Sequence, residues 1–235
     1  MRSLLWKEWH EQRWKLAFGA LILAAFAVVG LRARVVADDM LLEGVCFLAV
    51  LLLPVLSSTG LVPAERDEGT LETLLSMPVK PVAVFAAKTL VGVLLCAVPL
   101  ILTVMVSVAI AGGREISTAA ILGLYARTLA ATLSLFFWML ALTVRLPGET
   151  RAALIAMAVL IMWSIVTLGL MESWKEKDGG PTILWAVDPL VFVIGFKQGA
   201  WAVSLALAAA VQALVALALW LWAAWQLPRP QEARS

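Results

Sequence analysis

Long apolar runs alternate with short charged stretches along the chain. Measured against the roughly 20 residues needed to cross a hydrocarbon core, these runs predict six spans, near residues 16–35, 41–62, 89–111, 122–144, 152–171 and 200–225. An even number of spans returns both termini to one side. Lysines and arginines counted on alternate sides number eleven on the side of the termini, from Arg2 to Arg234, against six on the other. The positive-inside tendency therefore places both termini in the cytoplasm. Tryptophan gives an independent check, because indole prefers the interface between hydrocarbon and water. Nine of the eleven tryptophans lie near a predicted span end, whereas Trp138 and Trp163 lie deeper and read as helix-packing residues.

Composition agrees: 63% of the 235 residues are hydrophobic and 14% charged, which excludes a soluble globular domain. The expected fold is an all-α membrane protein, a single transmembrane domain over residues 1–235 in the cell's inner membrane. A net charge of +2, from 18 basic and 16 acidic residues, is too balanced for a nucleic-acid partner. Cys46 and Cys96 sit inside apolar runs and read as small buried hydrophobes. His10 is the only histidine and has no ligand companion at metal-binding spacing.

Polar segments carry the functional content. Placed at helical steps, Leu5, Trp6, Trp9 and Leu16 fall on one arc while Lys7, Glu8, Glu11 and Lys15 oppose them, which predicts an amphipathic helix lying along the inner membrane surface. Leu4 and Trp14 fall outside that arc, and Arg13 falls within it, where its stem can snorkel. Between spans two and three, Glu65-Arg66-Asp67-Glu68 concentrate charge ahead of Leu71, Leu74 and Leu75 at helical spacing. A short helix is expected to begin near Gly69 or Thr70 and to end at Pro78 and Pro81. Residues 172–199 form the longest outer segment, apolar in its second half but too short to cross and interrupted by Asp188-Pro189, as in a re-entrant hairpin dipping in from outside. Pro54 and Pro99 are expected kink points. Ser57, Ser58, Thr59, Thr103 and Ser107 lie within spans, where hydroxyls either bond neighbouring helices or line a path. Arg127 and Glu43 lie close enough to span ends to snorkel.

The run E-R-D-E-G-T-L-E-T-L-L-S-M-P-V from Glu65, followed by Lys88 at the start of span three, resembles the signature of permease subunits of ABC-2 type transporters. Those permeases are similar in length, in six spans, in an N-terminal elbow helix and in a re-entrant segment between spans five and six. The resemblance implies that the 65–78 block is a coupling helix seated in a groove of a cytoplasmic ATPase. Glu65, Arg66, Glu68, Gly69, Thr70, Leu71, Glu72, Leu75 and Pro78 match the motif by position, while Met77 stands where a small or polar residue is common and Pro81 where a basic one is. It further implies a homodimer, or a heterodimer with a related permease, set in the lipid bilayer. ATP and Mg would then belong to the partner subunit, with no cofactor in this chain.

The residues present fit that division of labour. No G-x-x-x-x-G-K-[ST] phosphate loop occurs, so ATP hydrolysis is expected from a separate chain. An intramembrane enzyme would need paired aspartates or an H-E-x-x-H helix, and neither is present. Three readings stay open: a permease exporting a hydrophobic or amphipathic compound, the membrane subunit of a haem exporter for cytochrome c maturation, which has a similar G-x-L-E-x-L-L-x-x-P block, and a membrane scaffold or sensor without transport. The elbow Leu4-Leu5-Trp6-Lys7-Glu8-Trp9 is more similar to general ABC-2 permeases.

Overall fold

A backbone in hydrocarbon has no water to bond, so an apolar run long enough to cross closes its hydrogen bonds within itself as a helix. The computed structural model describes residues 2–33, 38–69, 81–111, 117–175, 188–190 and 202–226. They form α1 (Arg2–Ala33), α2 (Asp38–Thr59), α3 (Pro63–Asp67), α4 (Pro81–Ala111), α5 (Thr118–Thr143), α6 (Glu149–Lys175) and α7 (Ala202–Trp225). Among the described residues, six helical stretches are long and apolar enough to cross a membrane, each overlapping one of the apolar runs. The protein is a multi-pass, all-helical membrane protein.

α2 is the hub of the bundle: it packs against α1, α4, α5 and α6, and 72% of its most apolar stretch is buried. α7 lies on the outside against α5. One buried cluster joins Leu23, Val45, Leu53, Phe85, Leu100 and Phe136. A second, around Val50, Leu135, Met139 and Leu160, receives Leu190 from the segment between α6 and α7. Thr167 Oγ1 donates to Asp188 Oδ2 at 2.7 Å, and Leu190 N donates to Asp188 Oδ1 at 2.9 Å. Asp188 thereby pins this point of the outer segment into the bundle; the rest of the expected re-entrant hairpin lies outside the described residues.

The structure differs from the sequence reading at three places, all at the end of the bundle that carries residue 2. The expected elbow is not a separate surface helix, because α1 runs unbroken from Arg2 to Ala33, about 48 Å at 1.5 Å per residue. Part of its polar face is covered, with Glu8 and Gln12 buried, Lys7 and Lys15 half-exposed and Glu11 exposed, whereas Trp6 (69% exposed) and Trp14 (72%) face outward. α4 explains this: it begins at Pro81, well before the expected span start at 89, and extends alongside α1. With protein rather than water covering that part of the polar face, nothing bends the helix into the membrane plane. Third, Glu65, Arg66 and Asp67 of the acidic run lie in a helix of their own, α3, which begins at Pro63 and is followed by Gly69 at φ +68°, a left-handed conformation natural to glycine, while the helix expected from Gly69 or Thr70 onward lies outside the described residues. Thr70, Leu71, Glu72, Leu75 and Pro78 lie outside the described residues.

Both α2 and α4 continue as helices through Pro54 and Pro99. The span hydroxyls are all buried. Ser57 donates to Leu53 O at 2.7 Å and lies 3.2 Å from Cys96 Sγ, while Ser58 and Thr59 donate to Val55 O at 3.3 and 2.9 Å. Thr103 donates to Pro99 O at 2.7 Å, and Ser107 pairs with the Tyr125 hydroxyl at 2.9 Å. These contacts are of the kind that helix packing makes. Trp138 and Trp163 pack edge to face at 5.1 Å, joining α5 to α6.

α4 and α5 approach closely at Gly92 of α4, where a Cβ would stand 2.5 Å from the Phe136 ring of α5. Gly92→Ala is expected to lower stability by about 1–3 kcal/mol through overpacking. Thermal unfolding of the detergent-solubilised protein measures this, and Phe136→Leu in the same chain should recover part of the loss.

Candidate functional site

Charge is scarce in this chain, so charged side chains taken out of water need a local reason. Lys88 lies in the third turn of α4 and is 3% exposed; Glu8 of α1 is 1% exposed and Glu65 of α3 is 4% exposed. The Lys88 ammonium stands 2.7 Å from Glu8 Oε1 and 2.7 Å from Glu65 Oε1. Lys7, half-exposed, reaches Glu65 at 3.7 Å and Glu11 at 3.5 Å. One buried cation thus joins three helices, and the position of each carboxylate follows from its helix: Glu8 from the covered face of α1, Glu65 from the first turn of α3.

Around this centre the polar groups interlock. Gln12 Nε2, one turn beyond Glu8, donates to Gly60 O at 2.8 Å, holding α1 against the end of α2. Lys15 pairs with Glu149 at the start of α6. Asp67 accepts from the Glu149 N–H at 2.8 Å, satisfying an otherwise unpaired donor at a helix start and adding negative charge at its positive end. Gly148, at φ +82°, makes room for that carboxylate, since a Cβ there would meet Asp67 Oδ1 at 3.1 Å. Arg66 Nη1 donates to Leu146 O at 3.4 Å. Arg145 donates through Nε to Gln226 Oε1 at 2.9 Å and lies 5.5 Å from the Trp222 ring, fastening the α5–α6 turn to the end of α7. Trp220 Nε1 donates to Thr89 Oγ1 at 3.0 Å, next to Lys88. All six long helices are therefore connected at this end through α3 or its neighbours.

The arrangement decides which residues can face another molecule. Glu65, expected to contact an ATPase, has its carboxylate turned inward to Lys88. Arg66 is half-buried, while Asp67, Glu68 and Gly69 are exposed, Asp67 with its carboxylate bonded to the start of α6. Glu8, Gln12, Lys15, Asp67 and Glu149 form the site with Lys88 but do not stand out in the sequence as site residues. The available signal was a lysine within an otherwise apolar stretch, which demands a counter-charge, and acidic residues on the same side of the membrane by span counting.

Glu8, Glu11 and Glu65 offer carboxylate oxygens within 4.8 Å of one another, a spacing that can hold a metal ion. The ammonium of Lys88 already takes the place between Glu8 and Glu65. A metal there would sit against two lysines, so the chemistry of the cluster is that of an ion-pair junction.

Removing one member of a buried ion pair strands the others and costs about 3–5 kcal/mol, whereas replacing the whole set by apolar or neutral groups costs far less. Lys88→Met is therefore expected to destabilise the protein strongly, and the triple variant Lys88→Met, Glu8→Gln, Glu65→Gln to restore most of the loss, as read from thermal unfolding in detergent.

A comparison with curated proteins returns no match. The family model described as ABC-2 family transporter protein matches residues 6–167, which include Glu8, Glu65, Lys88 and Glu149. A match over more than half of the chain, on six spans joined at one end by this junction, makes the protein a member of the ABC-2 transporter family, a membrane subunit of an ABC transporter.

Proposed function

We propose that this chain forms the translocation path of an ABC exporter and receives its power from a separate cytoplasmic ATPase, which docks on the exposed side of α3 and on the 69–78 segment that follows it. The observation that carries the reading is the junction itself: Glu68 is exposed, while three positions back Glu65 is fixed to Lys88 and through it to Glu8. A push on the surface of α3 is passed by direct contact to α1 and α4, and through Asp67 to α6. Rigid-body movement of packed helices is the ordinary output of such contacts.

In this reading the junction end faces the cytoplasm, in keeping with the lysine and arginine excess on that side. Thr70, Leu71, Glu72, Leu75 and Pro78 supply the rest of the docking surface. Two copies, or one copy and a related permease, stand around a two-fold axis with the path between them. The exported compound is hydrophobic or amphipathic. Support comes from the outward faces of the spans, which present Leu102 and Met105 on α4 and Leu154, Met162 and Ile165 on α6.

The test is to purify the tagged chain together with its ATPase. Glu68→Lys is expected to reduce recovery of the ATPase at least tenfold while the membrane subunit keeps its thermal stability. Glu65→Gln is expected to lower that stability instead, because its carboxylate faces the junction. Equal recovery with Glu68→Lys would refute docking at this surface, and stimulation of ATP hydrolysis by hydrophilic compounds alone would refute the substrate class.

A further inference from the structure

The side of α1 opposite the junction has a chemistry of its own. Trp6, His10, Arg13 and Trp14 share one helical face and are all exposed, while Glu8 and Gln12 on the other face are buried. Arg13 lies with its guanidinium 5.7 Å from the Trp14 ring, and the Trp6 and His10 rings stand 6.2 Å apart. The acidic residues of this stretch are turned away, Glu8 to Lys88 and Glu11 to Lys7.

The neighbouring cations are already neutralised. Lys7 is held by Glu11 and Glu65, Lys15 by Glu149, and Lys88 by Glu8 and Glu65. Arg13 has no ion-pair partner among the described residues; its contact is with an aromatic ring. About one turn further along the same face, Phe18 and Leu21 are exposed and begin the apolar surface that α1 presents to lipid. Arg13 therefore lies at the N-terminal edge of that apolar surface, beside two exposed indoles of the kind that settle at the interface between hydrocarbon and water.

We propose that this face of α1 binds an anionic phospholipid, with the headgroup phosphate on Arg13 and the indoles of Trp6 and Trp14 against the glycerol and upper acyl chain. The inference rests on the face alone and does not depend on an ATPase or a transported compound. Because the face lies back to back with Glu8, a bound lipid also steadies the helix that carries half of the junction.

The chain, purified in detergent and incubated with equal amounts of phosphatidylglycerol and phosphatidylcholine, is washed and its retained lipid quantified by mass spectrometry. Phosphatidylglycerol is expected in excess. Arg13→Gln should lower the ratio about fivefold, the effect of one basic side chain near an anionic surface. Arg13→Lys should largely keep the ratio, as should Arg151→Gln, which removes an exposed charge at the same end. An unchanged ratio in Arg13→Gln overturns the proposal. So does a shift in self-association with no change in lipid, which would assign the face to a second copy. Should Arg13→Gln not fold, the unaltered chain decides: its preference must fall as salt rises from about 50 to about 500 mM, where charges are screened over a few ångströms, and a salt-independent preference overturns the proposal.

Discussion

A buried ammonium between two buried carboxylates is the constraint on which the rest of this structure depends. Taking such groups out of water costs several kcal/mol per ion, repaid only when opposite charges meet in good geometry. Lys88, Glu8 and Glu65 come from α4, α1 and α3, three elements far apart in sequence, and the geometry is satisfied only when all three are in register. The surrounding contacts are consistent with that register. Gln12 lies one turn from Glu8 and meets the end of α2, Lys15 lies a further turn along and meets α6, and Asp67 caps α6 two residues from Glu65.

The spans were legible in the sequence because hydrocarbon leaves the backbone one solution, and run length reports it directly. The ends of the spans were not. α1 shows why: helical periodicity separates Trp6 and Trp9 from Glu8 and Glu11 correctly, yet it cannot say whether water or protein covers the polar side. Here α4, described from Pro81, lies against α1 and Lys88 meets Glu8, so an amphipathic pattern that reads as a surface helix belongs to the same continuous helix as the span. The acidic run at 65–68 misled in the same way. Its density suggests outward contact, but Glu65 is turned inward to Lys88 and Asp67, though exposed, is bonded to the start of α6.

The hydroxyls of the spans make the complementary point. Ser57, Ser58, Thr59, Thr103 and Ser107 stand out in an apolar chain, and their position alone does not separate packing from transport. In the structure four of them donate to a carbonyl of their own helix and Ser107 pairs with Tyr125, contacts that also serve helix packing. The outward faces of the spans, by contrast, present leucine, isoleucine and methionine, the surface on which the proposed export of an apolar compound rests.

The central claim is that Lys88 makes the N-terminal part of α1 and the short α3 one mechanical unit. Amide hydrogen exchange of Lys88→Met against the unaltered chain tests it most directly, because it reads each segment separately. The account predicts that residues 6–15 and 60–69 lose protection together, while the buried middle of α2 keeps its own. Loss confined to one of the two segments, or protection unchanged in both, would contradict it.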